Sequence, residues 1–234
     1  MESLRPHRPY PVVPALRGAA RGFTLIEMMV VLTIIIVITG VVLSSQSSFN
    51  KTLILANTAY DLALTIRSAE TYGIASQVSE GITNAGYGLD FQAASDDTFT
   101  FFADSYPSPS ASAPCHPSPD PSAPDAKPGN CAYDEGSDAI VSVYTLGNGV
   151  TFSDFCAYAA GGWECKNSNG GSLSTLDIVF VRPNAEPFMT ANGNYSASTP
   201  VTQSCLALTS PQGGARYVSV SASGAINANA ESCP

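Results

Sequence analysis

The chain has 234 residues, 44% hydrophobic and 12% charged, and its 10 Lys and Arg against 19 Asp and Glu leave a formal charge of −9. That length suits one globular domain with an extension, and the acidity argues against wrapping a nucleic-acid backbone, which rests on neutralising basic side chains. Two histidines, His7 and His116, both in proline-rich sequence, disfavour multi-histidine metal centres and His-based catalytic triads.

The charge is unevenly placed. Arg5, Arg8, Arg17 and Arg21 precede residue 23, whereas residues 23–234 carry 6 basic against 18 acidic side chains, a formal charge of −12. Between these regions, Phe23–Leu43 reads FTLIEMMVVLTIIIVITGVVL, 21 residues with one ionisable side chain. As a helix it spans roughly 30 Å, enough to cross a bilayer. The four flanking arginines put the N-terminus in the cytoplasm and the rest of the chain outside. A secretory signal peptide fits less well, because such apolar regions run to about 7–15 residues before a small-x-small site, and Leu43-Ser44-Ser45-Gln46 offers none. A plain membrane anchor leaves Glu27 unexplained, since an acidic group at mid-membrane costs about 2.5–3.5 kcal/mol.

The run Arg21-Gly22-Phe23-Thr24-Leu25-Ile26-Glu27 resembles the processing site of type IV prepilins and type II secretion pseudopilins: a basic leader ending in Gly, then Phe, a Glu five residues into the mature chain, and about 20 apolar residues. The resemblance implies that a prepilin peptidase cuts between Gly22 and Phe23 and N-methylates Phe23. It also implies that Glu27 meets the N-terminal amine of a neighbouring subunit during filament assembly, offsetting the burial of both charges. Its expected partners are the peptidase, other pilins or pseudopilins, and a membrane assembly platform with its motor ATPase, with no cofactor and no nucleic acid. The leader, residues 1–22, is long and holds Pro6, Pro9, Pro11 and Pro14, so a start codon further downstream is also open. Ser44 stands where many pilins have a kinking proline, which leans toward a minor pilin or pseudopilin.

After the transmembrane segment (23–43), Leu55, Ala59, Leu62, Ile66, Ala69 and Gly73 follow alternating spacings of 4 and 3, bordered by Phe49, Leu53, Ala56, Tyr60 and Ala63. This predicts an amphipathic continuation over 44–79, one helix in all from Phe23 to Ser79. The small residues suit close packing on strands. From residue 87 the period shortens to 2, predicting strands at Tyr87–Phe91, Thr98–Ala103, Ala139–Thr145, Val150–Phe155, Thr175–Val181, Gln203–Thr209, Arg216–Ala222 and, after a Ser223-Gly224 turn, Ala225–Asn227. The expected fold is α+β: a long N-terminal helix packed on a mainly antiparallel headgroup sheet, residues 80–234, pilin-like. The stretches Leu146–Val150, Ile178–Pro183 and Arg216–Ile226 resemble the headgroup of the minor pseudopilin H and pilin T group.

Between Ser105 and Asn130, 8 of 26 residues are proline, which predicts an extended, solvated loop over 105–130. Asn194-Tyr195-Ser196 matches the N-glycosylation pattern. Six cysteines, Cys115, Cys131, Cys156, Cys165, Cys205 and Cys233, follow the membrane segment. An even number on the outer side reads as three disulfides, with 15 connectivities open. Sequential pairing is the expectation: Cys115 with Cys131, Cys156 with Cys165, Cys205 with Cys233. No C-x2-C pair supports zinc. Asp134, Glu135 and Asp138 crowd around Gly136 without the spacing of a twelve-residue calcium loop and read as a solvated acidic turn, so no metal is expected. With no nucleophile beside a base, the chain is read as a structural subunit and not an enzyme. The competing class is a membrane-anchored adhesin or ligand-binding module, for which Trp163 beside Gly161-Gly162 is the candidate contact, although a packed core tryptophan is the preferred reading.

Overall fold

The computed structural model describes residues 22–75, 85–104, 129–183, 185–193 and 195–234, with side chains described for all of these except 44–51. The described residues form one helix and ten strands: α1 (Leu25–Ala75), β1 (Gly86–Gln92), β2 (Thr98–Asp104), β3 (Ala139–Thr145), β4 (Thr151–Ala159), β5 (Gly162–Cys165), β6 (Thr175–Phe180), β7 (Pro187–Ala191), β8 (Gln203–Thr209), β9 (Ala215–Ser221) and β10 (Ile226–Ala230). The fold is α+β and pilin-like in arrangement, with an apolar N-terminal helix and antiparallel sheets. The chain divides into two units, residues 1–45 and 46–234. The expected helix end, 76–79, and nearly all of the proline-rich loop lie outside the described residues.

In the first unit, Leu25–Leu43 is helical and exposed along its whole length. A helix surface apolar on all sides but for Glu27, and exposed in the structure, is stable in hydrocarbon and not in water. The segment is therefore membrane-anchoring in character.

In the second unit the expected single sheet is two five-stranded sheets, ordered β3-β2-β1-β6-β7 and β10-β9-β8-β4-β5. A period of 2 marks strands but carries no information on which strands pair. The predicted helical stripe is the buried one: Leu55, Ala59, Leu62, Ile66 and Ala69 are at most 2% exposed. Leu53 and Tyr60, expected to border it, point outward at 45% and 57% exposure. The core joins that stripe to Tyr87, Leu89, Phe101 and Phe180 of the first sheet and to Phe152, Phe155, Leu206 and Val218 of the second.

The small residues of the stripe have a steric cause. A Cβ on Gly73 would overlap the carbonyl oxygen of Phe180 in β6, so helix and strand approach as closely as they do only because no side chain intervenes. Gly73→Ala is expected to cost about 1–3 kcal/mol through forced separation, measured by denaturant unfolding, even though alanine has the higher helix propensity.

Two strands were not predicted. The β4–β5 hairpin turns through Ala160-Gly161 with φ of 50° and 82°, the two positive values of a type I′ turn, and its register sets Cys156 opposite Cys165. These two are disulfide-bonded, as are Cys205 and Cys233. Cys131 is also disulfide-bonded, and its expected partner Cys115 lies outside the described residues. The Cys205–Cys233 bond closes a 28-residue separation that pins the C-terminal tail to β8. For a loop of that size the chain-entropy relation gives about 3–4 kcal/mol. The Cys205→Ser/Cys233→Ser variant is expected to lose that much unfolding free energy in a urea titration.

Candidate functional site

The N-terminal segment is built from a helix start. Thr24 accepts the Glu27 N–H through Oγ1 at 3.3 Å and the Met28 N–H through its carbonyl at 3.2 Å, which makes it the cap of α1. The order Thr24-Leu25-Ile26-Glu27 is a capping-box pattern. Thr24 is thus a residue of the motif that sequence reasoning left without a role, although this signal was there to find it. Glu27 sits in the first helical turn, where a carboxylate faces the positive end of the helix dipole. Phe23, just before the helix, is 77% exposed. A Cβ on Gly22 would meet nothing within 4 Å. Among the described residues, therefore, nothing in the chain's own packing requires glycine at position 22.

The headgroup holds a second polar assembly that the sequence did not reveal. The faces of β1, β2 and β6 turned away from the main core are covered by residues 129–138, and Cys131 packs there with Phe102, Val179 and Val181. Asp90, Asp104 and Asp177 lie beneath this cover, each at most 2% exposed. Asp104 accepts the N–H groups of Asn130 at 3.2 Å and Cys131 at 2.8 Å, and Asp177 accepts the Tyr133 N–H at 3.2 Å. Gly129 permits this closeness, because a Cβ there would overlap the Asp104 carboxylate. Asp90 and Asp177 face each other across β1 and β6.

Burial dominates the electrostatics of these groups. It pushes the Asp104 carboxyl well above its usual range, helped by the charge of Asp138 and opposed by the Cys131 and Asn130 amides. Burial does the same to Asp177, with the Asp90 charge adding to it. Asp90 is raised by burial to about 6, while hydrogen bonds from Gln92 and Asp177 hold it down. Asp177 thus keeps its proton longer and donates it to Asp90.

The acidic turn at Gly136 differs from expectation. Glu135 is exposed, but Asp138 is only 8% exposed, and it accepts the Asp134 N–H at 2.9 Å while Asn130 Nδ2 donates to Asp134 Oδ2 at 2.7 Å. The carboxylates fold the loop onto the sheet and are not solvated together. Elsewhere, Asp154, Cys156 and Cys165 gather within 4.8 Å. The two sulfurs are bonded to each other and offer no thiolate, and Asp154 already accepts from Asn167 and Ser168, so this donor set does not fit a metal.

Trp163 is not a core residue. It is half-buried on β5 with its ring 5.2 Å from that of Tyr158. Asn194 of the glycosylation pattern and His116 lie outside the described residues, as do Arg5, Arg8, Arg17 and Arg21.

Residues 17–43 match the family described as the prokaryotic N-terminal methylation motif. No curated protein and no solved structure matches the chain. The matched segment contains Gly22, Phe23 and Glu27 and runs to the end of the exposed apolar helix. Together they fit a type IV prepilin-like protein, and the motif family is structural in kind. Such a precursor implies processing by a prepilin peptidase and assembly with other pilins.

Proposed function

From that prepilin-like premise we propose that the chain is a minor pilin or pseudopilin, a structural subunit of a type IV pilus or a type II secretion pseudopilus. Residues 1–22 are the leader, cut between Gly22 and Phe23, and Phe23 is then N-methylated. The subunit waits in the cytoplasmic membrane with its N-terminus inside and its disulfide-stapled headgroup outside. It then enters a filament through α1, driven by an assembly platform and its motor ATPase.

One observation carries this reading: the matched motif ends in a helix that is apolar on every side except for Glu27. A passive anchor has no use for a carboxylate one turn into the membrane, whereas a subunit that must find a neighbour's amine does. Gly22, which packing leaves unconstrained, makes sense if an external peptidase must reach the backbone. The test is N-terminal peptide mass spectrometry after expression with and without a prepilin peptidase. The expected result is a chain starting at N-methylated Phe23 only when the peptidase is present. An unprocessed Met1 start in both samples, or cleavage near Ser45, would overturn the reading.

A further inference from the structure

The outer face of the sheet β10-β9-β8-β4-β5, turned away from the core, carries a groove of about 310 Å³, at the small end of the range for ligand sites (about 300–1,000 Å³). Strand register builds its floor. Trp163, Tyr158, Gln203 and Ser221 lie in one cross-strand row, and Cys205, Ser219 and Asn227 lie in the next row on the same face. The C-terminal tail, tied down by Cys205–Cys233, adds Ser232 and Pro234 to the lining.

The chemistry of this lining is specific in two ways. None of the side chains lining it is charged, in a chain that is strongly acidic overall. Its polar groups are hydroxyls and amides, and among the described residues the side chains of Gln203 and Ser219 make no hydrogen bond. Asn227 Oδ1 accepts the Asn229 N–H at 3.0 Å, which leaves its Nδ2 as a donor. At one end stands Trp163, held by Tyr158 at 5.2 Å, with an indole surface that packing has not consumed. A pyranose ring presents an apolar C–H face, whose positive edge complements the negative face of an aromatic ring, and a rim of hydroxyls that pair with neutral donors and acceptors. Anionic ligands find no cation here, and an apolar ligand would strand the amides.

We infer that this groove binds a neutral sugar unit of a glycan chain, stacked on Trp163 and hydrogen-bonded by Gln203, Ser219 and Asn227. The inference does not depend on filament assembly.

Trp163 is the sole tryptophan of the chain, which also has 10 tyrosines, so emission excited selectively from tryptophan reports on this groove. Full-length protein in detergent is titrated with maltohexaose, cellohexaose and chitohexaose, and with sialyllactose as the charged comparison. The expected result is a saturable change in emission with at least one neutral oligosaccharide, weakened tenfold or more in Ser219→Arg, which fills and charges the groove. If that variant does not fold, as judged by near-ultraviolet circular dichroism, Asn227→Ala on the edge strand is expected to weaken binding severalfold instead. No saturable change with any neutral sugar, a response to sialyllactose alone, or undiminished binding by the folded variant overturns the inference.

Discussion

Replacing Glu27 by glutamine is expected to abolish incorporation into a filament while leaving membrane residence and cleavage after Gly22 intact. Glu27 can matter in two ways, and they differ in size. As a first-turn carboxylate on α1 it interacts with the helix dipole for about 0.3–1 kcal/mol. That contribution is too small to decide assembly, and Thr24 Oγ1 still caps the helix because it accepts the Glu27 backbone N–H. As the partner of a neighbour's N-terminal amine, its loss leaves a buried charge uncompensated, a penalty of about 3–5 kcal/mol. At about 1.4 kcal/mol per tenfold, that disfavours incorporation by a hundredfold or more.

Removing the charge also makes the segment easier to retain in a bilayer, because an ionised side chain costs more in hydrocarbon than a neutral amide. The variant should therefore be better anchored and less functional, a combination that a general folding defect does not produce. The measurement is the ratio of filament-bound to membrane-bound subunit by immunoblot, with mass spectrometry to check the Phe23 terminus. Wild-type incorporation by Glu27→Gln would show that the carboxylate acts only on its own helix.

Legibility in the sequence followed physical periodicity. The stripe Leu55–Gly73 was readable because helical spacing puts its members on one face, and that face is the buried one. Ala139–Thr145 and Gln203–Thr209 were readable to the residue because apolar alternation and flanking turn residues agree. β5 was not, since Gly162-Trp163-Glu164-Cys165 is too short to alternate and is held by its hairpin turn and the Cys156 bond. β7 opens on Pro187 at a sheet edge, where proline is tolerated but reads as a break.

The site divides in the same way. Gly22, Phe23 and Glu27 were legible because a linear motif needs no fold to assemble it. Asp90, Asp104 and Asp177 were not, because polar residues alternating with apolar ones ordinarily face water. Only pairing of β1 with both β2 and β6 brings the three together, and only residues 129–138 take the water away.

That cover has a consequence for pH. In the unfolded chain Asp90 titrates near the usual 3.8, and in the folded protein at about 6. Its folded-state pKa is raised, so between these values the native state binds the proton more tightly than the unfolded state does. The associated stability is fully present below about pH 4 and is lost as pH rises through 6, amounting to on the order of 3 kcal/mol. Asp104 and Asp177 are raised as well, so their effects have the same sign and extend the decline upward. The decline runs opposite to the ordinary acidic case, in which salt-bridged carboxylates stabilise as they ionise. Replacing Asp90 by asparagine keeps an oxygen to accept from Gln92 and Asp177 but removes the titration. Urea midpoints measured from pH 4 to pH 8 are expected to fall in the native sequence and to stay closer to level in Asp90→Asn, which overtakes it above pH 6. Parallel curves for the two proteins would mean that Asp90 ionises as freely in the folded state as in the unfolded one, and that the cover over β1 and β6 admits water.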